Sequence, residues 1–337
     1  MSHKDKAYEN LINGAKKEMH EQNFHISEEQ QQKIMKLGKM RAKWTTVVTI
    51  LAILLLTLPV LTLFSFGYYA IGGRANELIE VADKTIYLTE PNVSVAEREV
   101  ETTMGIFSMD VHLNLEKKVG KDTIRFGESS VPFLFNNAEQ PVSEYRVDSP
   151  PKKIPYFNDE LIHPKAPLPY AEGDEWEKLQ GLPEGTVAEA YISFDKEYSV
   201  EEIEQLFADK EMELRWYAVY TGNEDIQQAE NGVYVSPIGF PAQIDSDQWS
   251  PFNGEESNEK VFLDSLKFLK NHEDVATMVA RSKELDLTKR VQYVEQNGIK
   301  IYGAVVTGPS KEIMKLQEES FVRGMKRGEV RLWNWNS

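Results

Sequence analysis

Between Lys43 and Arg74 the chain carries no charged side chain: thirty consecutive residues form one apolar block near the N-terminus of an otherwise polar sequence. As an α-helix rising 1.5 Å per residue the block is about 45 Å long, against roughly 30 Å for a hydrocarbon core. The pattern predicts a single transmembrane helix over residues 44–73, so every other segment belongs to one side or the other. Pro59 lies mid-span, where it removes one backbone donor and kinks the helix or leaves a carbonyl to be satisfied elsewhere.

The flanks predict the orientation. Lys33, Lys36, Lys39, Arg41 and Lys43 crowd the N-terminal side with no acid after Glu29, whereas Arg74 alone precedes Glu77, Glu80 and Asp83 beyond the block. The positive-inside rule places residues 1–43 in the cytoplasm and the remainder outside, with Lys39, Arg41 and Lys43 as topology anchors. Trp44 at one end, and Tyr68 with Tyr69 at the other, are placed for the headgroup layers. A secretory signal has a short basic start and an apolar run of about 7–15 residues, both exceeded here.

Charge divides at the same point. Residues 1–43 hold 9 basic and 6 acidic side chains, the rest 29 basic and 48 acidic, giving +3 inside and −19 outside. So acidic an exterior repels nucleic acid, teichoic acid and anionic lipid, and the plainest use of its charge is solubility. Cysteine is absent, which excludes disulfides, a thiolate nucleophile, lipid-modified cysteine and cysteine-based zinc sites.

Residues 1–43 read as an amphipathic helical segment. Tyr8, Leu11, Ile12, Ala15 and Met19 recur at helical spacing and form one apolar stripe, followed by Phe24 and Ile26. Ser27-Glu28-Glu29-Gln30 is a capping-box sequence opening a second helix that runs into the span. Forty residues are too few for an independent core, so the stripe packs on the second helix, lies on the membrane or docks into a partner protein. Docking makes Tyr8, Leu11, Ile12, Ala15, Met19, Phe24 and Ile26 the candidate partner-binding residues. His20 and His25 lack further ligands at metal-binding spacing and read as solvated.

Beyond the span, residues 74–89 read as helix or linker within a β-rich unit over residues 74–140. In VHLNL, Val111, Leu113 and Leu115 alternate with His112 and Asn114, the period of a half-buried strand. Residues 141–185 contain Pro150, Pro151, Pro155, Pro164, Pro167, Pro169 and Pro183 and read as an ordered connector that blocks helix and ladder alike. Residues 186–337 read as strand VAEAYISF, a helix capped by Ser199, strand MELRWYAVYTG, a helical stretch from Glu259 to about Gln296, strand IKIYGAVVTG, a helix after Pro309, and strand VRLWNW. The echo of YAVYTG in YGAVVTG suggests two related halves, hence an α+β domain of ferredoxin-like, split βαβ plan with a helical insertion.

Catalytic signatures are missing. No GxSxG, Walker loop, HExxH or GxGxxG occurs, the outer histidines His112, His163 and His272 lie in unrelated contexts, and Asp174, Glu175 and Glu177 are simply part of an acidic surface. The chain reads as a non-enzyme without cofactor or metal. Trp216 with Tyr217, and Trp333 with Trp335, suit a core better than a ligand pocket, and Asn92-Val93-Ser94 has the form of a glycosylation sequon.

The combination GTVAEAYISFDKEYSVEEI, LRWYAVYTG, a helical middle, NGIKIYGAVVTGPSKEIMKL and VRLWNW, with the charge-flanked span and GIFSMDV before it, resembles the sigma-factor regulator family of Firmicutes. The resemblance covers residues 30–335. It implies a membrane-anchored anti-sigma factor that holds an extracytoplasmic-function sigma factor at the inner face of the membrane and releases it on an envelope signal. It further implies a small membrane co-regulator as partner, while the acidic exterior argues against nucleic acid. The alternative is a membrane-anchored binding or scaffold protein whose N-terminus is purely topogenic.

Overall fold

In the computed structural model, residues 9, 12–14, 16–17, 27–96, 100–146, 159–226, 228, 234–243 and 250–332 are described. The long helix α1 (Glu28–Ala70) starts at the predicted capping box: the Gln30 amide donates to Ser27 Oγ and the Ser27 amide to Gln30 Oε1, both at 3.3 Å. Among the described residues it is the one helix long and apolar enough to cross a membrane. The chain divides into two units, residues 1–61 and 62–337. In the first, every side chain from 27 to 60 is exposed, Lys39, Arg41, Lys43 and Trp44 among them. Of the candidate partner-binding residues only Ile12 is described, helical and exposed; Tyr8, Leu11, Ala15, Met19, Phe24 and Ile26 lie outside the described residues.

The second unit begins with the last turns of α1 from Thr62. A single 3-10 turn follows, in which Gly72 and Gly73 take φ of 75° and 73°, a left-handed conformation that side chains resist. This pair ends one helix and lets the next, α2 (Arg74–Thr89), leave in a new direction. Then come β1 (Val93–Val95), β2 (Glu101–Met104), β3 (Ser108–Val119), β4 (Asp122–Leu134), β5 (Asn137–Ala138) and β6 (Val142–Tyr145). They form one antiparallel sheet in the order β1-β3-β4-β5, with β2 also on β3 and β6 on β4. Along β3, Met109, Val111, Leu113 and Leu115 face the core while alternate residues are half-exposed, as their period of two requires.

The rest runs through α3 (Glu172–Gln180), β7 (Thr186–Tyr198), α4 (Val200–Phe207), β8 (Glu213–Val219), β9 (Gly239–Pro241), α5 (Asn258–Lys270), α6 (Glu273–Val279), α7 (Leu287–Asn297), β10 (Ile301–Pro309), α8 (Ser310–Lys315) and β11 (Val322–Leu332). The second sheet has the order β11-β7-β10-β8-β9, antiparallel throughout. One hydrophobic core joins both sheets and α2, from Tyr69 and Val81 to Phe194 and Phe262. Each such side chain contributes about 1.5–3 kcal/mol by leaving water.

Two expectations are corrected. Residues 141–185 do carry ladder and helix: β6 pairs with β4 from Val142, just after Pro141, and α3 occupies a stretch with no proline between Pro169 and Pro183. The helical stretch after Glu259 is three helices, broken at Asn271-His272 and again where Arg281 and Asp286 take φ of 55° and 56°.

Candidate functional site

Two constructions in the second unit tie its parts together. The first joins the end of α1 to the first sheet. Ser65 and Tyr69, four residues apart on one helix face, are both fully buried. Ser65 Oγ accepts from the Phe107 amide at 2.6 Å, and the Tyr69 hydroxyl donates to the Phe135 carbonyl at 3.0 Å, with those of Phe107 and Phe133 at 3.3 and 3.4 Å. Tyr68 packs edge-on to Tyr69 and Phe135, and its hydroxyl donates to Asn136 Oδ1 at 2.9 Å. The Arg74 guanidinium returns over the Tyr68 ring and donates to the carbonyls of Tyr68 and Ile71, serving the unpaired acceptors and the negative dipole of a helix end.

The second construction is a polar junction between the sheets. Lys117 continues the inward-facing row of β3, yet bears an ammonium. It donates to both oxygens of Glu189 at 3.1 Å and to the Tyr191 hydroxyl at 2.7 Å, and lies 4.7 Å over the Phe126 ring. Glu189, on β7, has no exposed surface and also accepts from Asn92 Nδ2 at 2.7 Å and the Glu329 amide at 3.2 Å. Asn92 completes its capacity by donating to the Lys118 carbonyl and accepting from Arg215. Its side chain is thereby consumed internally. A burial this complete is tolerable only because each charge and lone pair finds a partner.

Both constructions sit on the same two struts. The β3–β4 ribbon has its Ser108 and Leu134 end beside Tyr69 and its opposite turn at Gly120, whose amide donates to Thr307 on β10 at 2.6 Å. Helix α2 starts at Arg74 and ends where the Tyr87 carbonyl accepts from Trp216 Nε1 at 3.0 Å and Glu90 pairs with Arg281. Beside the junction, burial holds the partly buried Glu160 carboxyl up at about 7, Lys117 pulling it down and Glu189, Asp159 and Glu90 pushing it up.

The other described aromatic residues and histidines singled out by sequence divide between core and surface. Trp216 and Tyr217 are core, while Trp333 and Trp335 lie outside the described residues. His163 is buried against Tyr220, and burial lowers its pKa although Glu197 Oε1, 3.3 Å away, opposes this. His112 pairs with Thr103 and His272 faces Glu77. An open polar depression of about 740 Å³ on the outer face of the first sheet has several of its polar groups engaged with one another, as in Arg125 to Asn114 and Thr103 with His112.

Compared with known proteins, residues 32–124 match the model described as sigma factor regulator N-terminal and residues 179–329 the one described as sigma factor regulator C-terminal. The chain is similar, at 32% identity over 332 residues, to a Bacillus subtilis (strain 168) protein named probable anti-sigma-M factor YhdL, covering 97% of this chain and 90% of that one. This chain belongs to the sigma-factor regulator family. No solved structure matches it.

In this regulator the junction falls between the two matched regions: Asn92 and Lys117 belong to the N-terminal one, Glu189, Tyr191, Arg215 and Glu329 to the C-terminal one. None of these was singled out from sequence for this role. The signals were there, a lysine in the buried phase of β3 and a glutamate inside the apolar strand VAEAYISF. The Ser65/Tyr69 pair had a weaker one, a four-residue spacing among apolar neighbours.

Proposed function

We propose that this regulator is a membrane-anchored anti-sigma factor, crossing the bilayer once with residues 1–43 in the cytoplasm and the second unit outside. The observation that carries the proposal is the near end-to-end similarity to a protein named as an anti-sigma factor. An apolar helix with basic residues on its N-terminal flank supports the topology. The partner is an extracytoplasmic-function sigma factor, docked on the stripe of Tyr8, Leu11, Ile12, Ala15 and Met19 with Phe24 and Ile26 beside it. A small membrane co-regulator contacts the same chain. The outer unit is non-catalytic, needs no cofactor, and reports an envelope signal; residues 74–140 and 186–337 act as its two modules, joined through residues 141–185.

The signal path consists of the two struts. A change in the second sheet displaces Gly120 and Glu90, and the β3–β4 ribbon and α2 bring that displacement to Tyr69 and Arg74 at the end of α1. The strand order β11-β7-β10-β8 supports a ferredoxin-like, split βαβ reading of the C-terminal module, with α5 to α7 as its helical insertion.

The test is copurification of the full chain with sigma factors encoded beside it, with and without residues 1–25. Retention by the full chain and loss on deletion are the expected results. Equal recovery from both would leave the N-terminus topogenic and favour a scaffold.

A further inference from the structure

The β3–β4 ribbon has two ends of opposite chemistry. The turn at Gly120 uses glycine at its left-handed position, φ 63°, and is followed by Lys121 and Asp122, as a turn in water should be. At the other end, the turn at residues 105–107 and the one after Leu134 place Phe107 and Phe135 in left-handed backbone, φ 56° and 55°. Aromatic residues rarely accept that conformation, and asparagine or glycine would relieve the strain. The two rings instead stack at 5.4 Å, and around them Ile106, Leu134 and Phe135 remain 41%, 45% and 42% exposed. Residues 102–109 and 129–138 contain no charge, within an exterior whose balance is −19.

We infer that this end of the first sheet is seated in the outer face of the lipid bilayer, with Ile106, Leu134 and Phe135 at the boundary between headgroups and acyl chains. The occupant follows from position. Phe107 and Phe135 are hydrogen-bonded to Ser65 and Tyr69. Ser65 lies 22 residues past Lys43, about 33 Å along a helix, so a hydrocarbon core entered after Lys43 ends beside it. Apolar turns fixed at that depth lose exposed surface to lipid, and the absence of charge removes repulsion from anionic headgroups. The outer unit then meets the bilayer at these turns as well as at the end of α1. The inference rests on the proposed membrane crossing.

Because the chain has no cysteine, single substitutions report cleanly. Ile106→Cys and Leu134→Cys change side chains that are 41% and 45% exposed, outside the buried core. Each full-length variant, labelled with an environment-sensitive dye, is reconstituted in phosphatidylethanolamine and phosphatidylglycerol vesicles with no other protein. Leu55→Cys marks mid-span and Lys121→Cys the far turn. Labels at 106 and 134 should be quenched by shallow nitroxide lipids at least about threefold more than the label at 121, and be sheltered from aqueous iodide. Iodide quenching equal to that at 121, with Leu55 sheltered, overturns the seating alone. A Leu55 label open to iodide overturns the crossing and the seating together.

Discussion

The ammonium of Lys117 stands 3.1 Å from both carboxylate oxygens of Glu189, 72 residues away in sequence, and neither side chain is exposed by more than 6%. Attraction between buried charges offsets their desolvation only while both are present. Lys117→Met should therefore destabilise the outer unit by about 3–5 kcal/mol, and adding Glu189→Gln, which removes the stranded charge yet keeps an acceptor for Asn92, should restore part of the loss. Denaturant midpoints of the solubilised full chain decide it; additive losses in the double variant would show that the two residues do not act as a pair.

Tyr69 gives the end of α1 its grip on the first sheet. Tyr69→Phe should cost about 1 kcal/mol, the value of one hydrogen bond, and Tyr69→Ala about 3–5 kcal/mol through the cavity it leaves. In the alanine variant Arg74, now held over Tyr68, should become a fast trypsin site. Cleavage there at the wild-type rate would mean that the helix end is held some other way.

Glu160 makes the junction sensitive to protons. Its carboxyl, raised from 4.5 to about 7, keeps in the folded state a proton that the unfolded chain has given up. That contribution is complete below about 4.5 and is lost as pH rises through 7. Glu160→Gln cannot ionise, so its stability relative to wild type should grow between pH 5 and 8. Thermal midpoints across that range would show it, and a constant difference would contradict it.

Asp83 sits on the buried face of α2 with one carboxylate oxygen unpartnered, and burial raises its pKa well above 3.8. Asp83→Asn should stabilise the protein at neutral pH, where the wild-type folded state must hold a proton or carry a buried charge. The gain should shrink as pH falls toward 3.8, where the unfolded aspartate is protonated too. An unchanged melting temperature at pH 7.5 would contradict this.

What the sequence disclosed followed from how local each signal is. The uncharged block, the alternation in VHLNL, the capping box at Ser27 and the cap at Ser199 depend on neighbours within a few residues, and α1, β3 and α4 appear where they point. Three-residue strands such as β1 and β9 carry too few residues for a period and exist through pairing with β3 and β8. Both constructions at the candidate site bring together distant segments: Ser65 with Phe107, and Asn92 and Lys117 with Glu189. Asn92 illustrates the limit: a sequon by spelling, it is a buried ligand of Glu189 in the fold.

In the proposed function the apolar stripe near the N-terminus holds a sigma factor. Replacing Leu11 and Ile12 with aspartate puts two charges into that stripe at sequence positions before α1 and the outer unit. Transcription from promoters dependent on the cognate sigma factor, measured without inducing signal and at wild-type protein level, should rise to the level of a null strain. Output that stays at the uninduced wild-type level would contradict it.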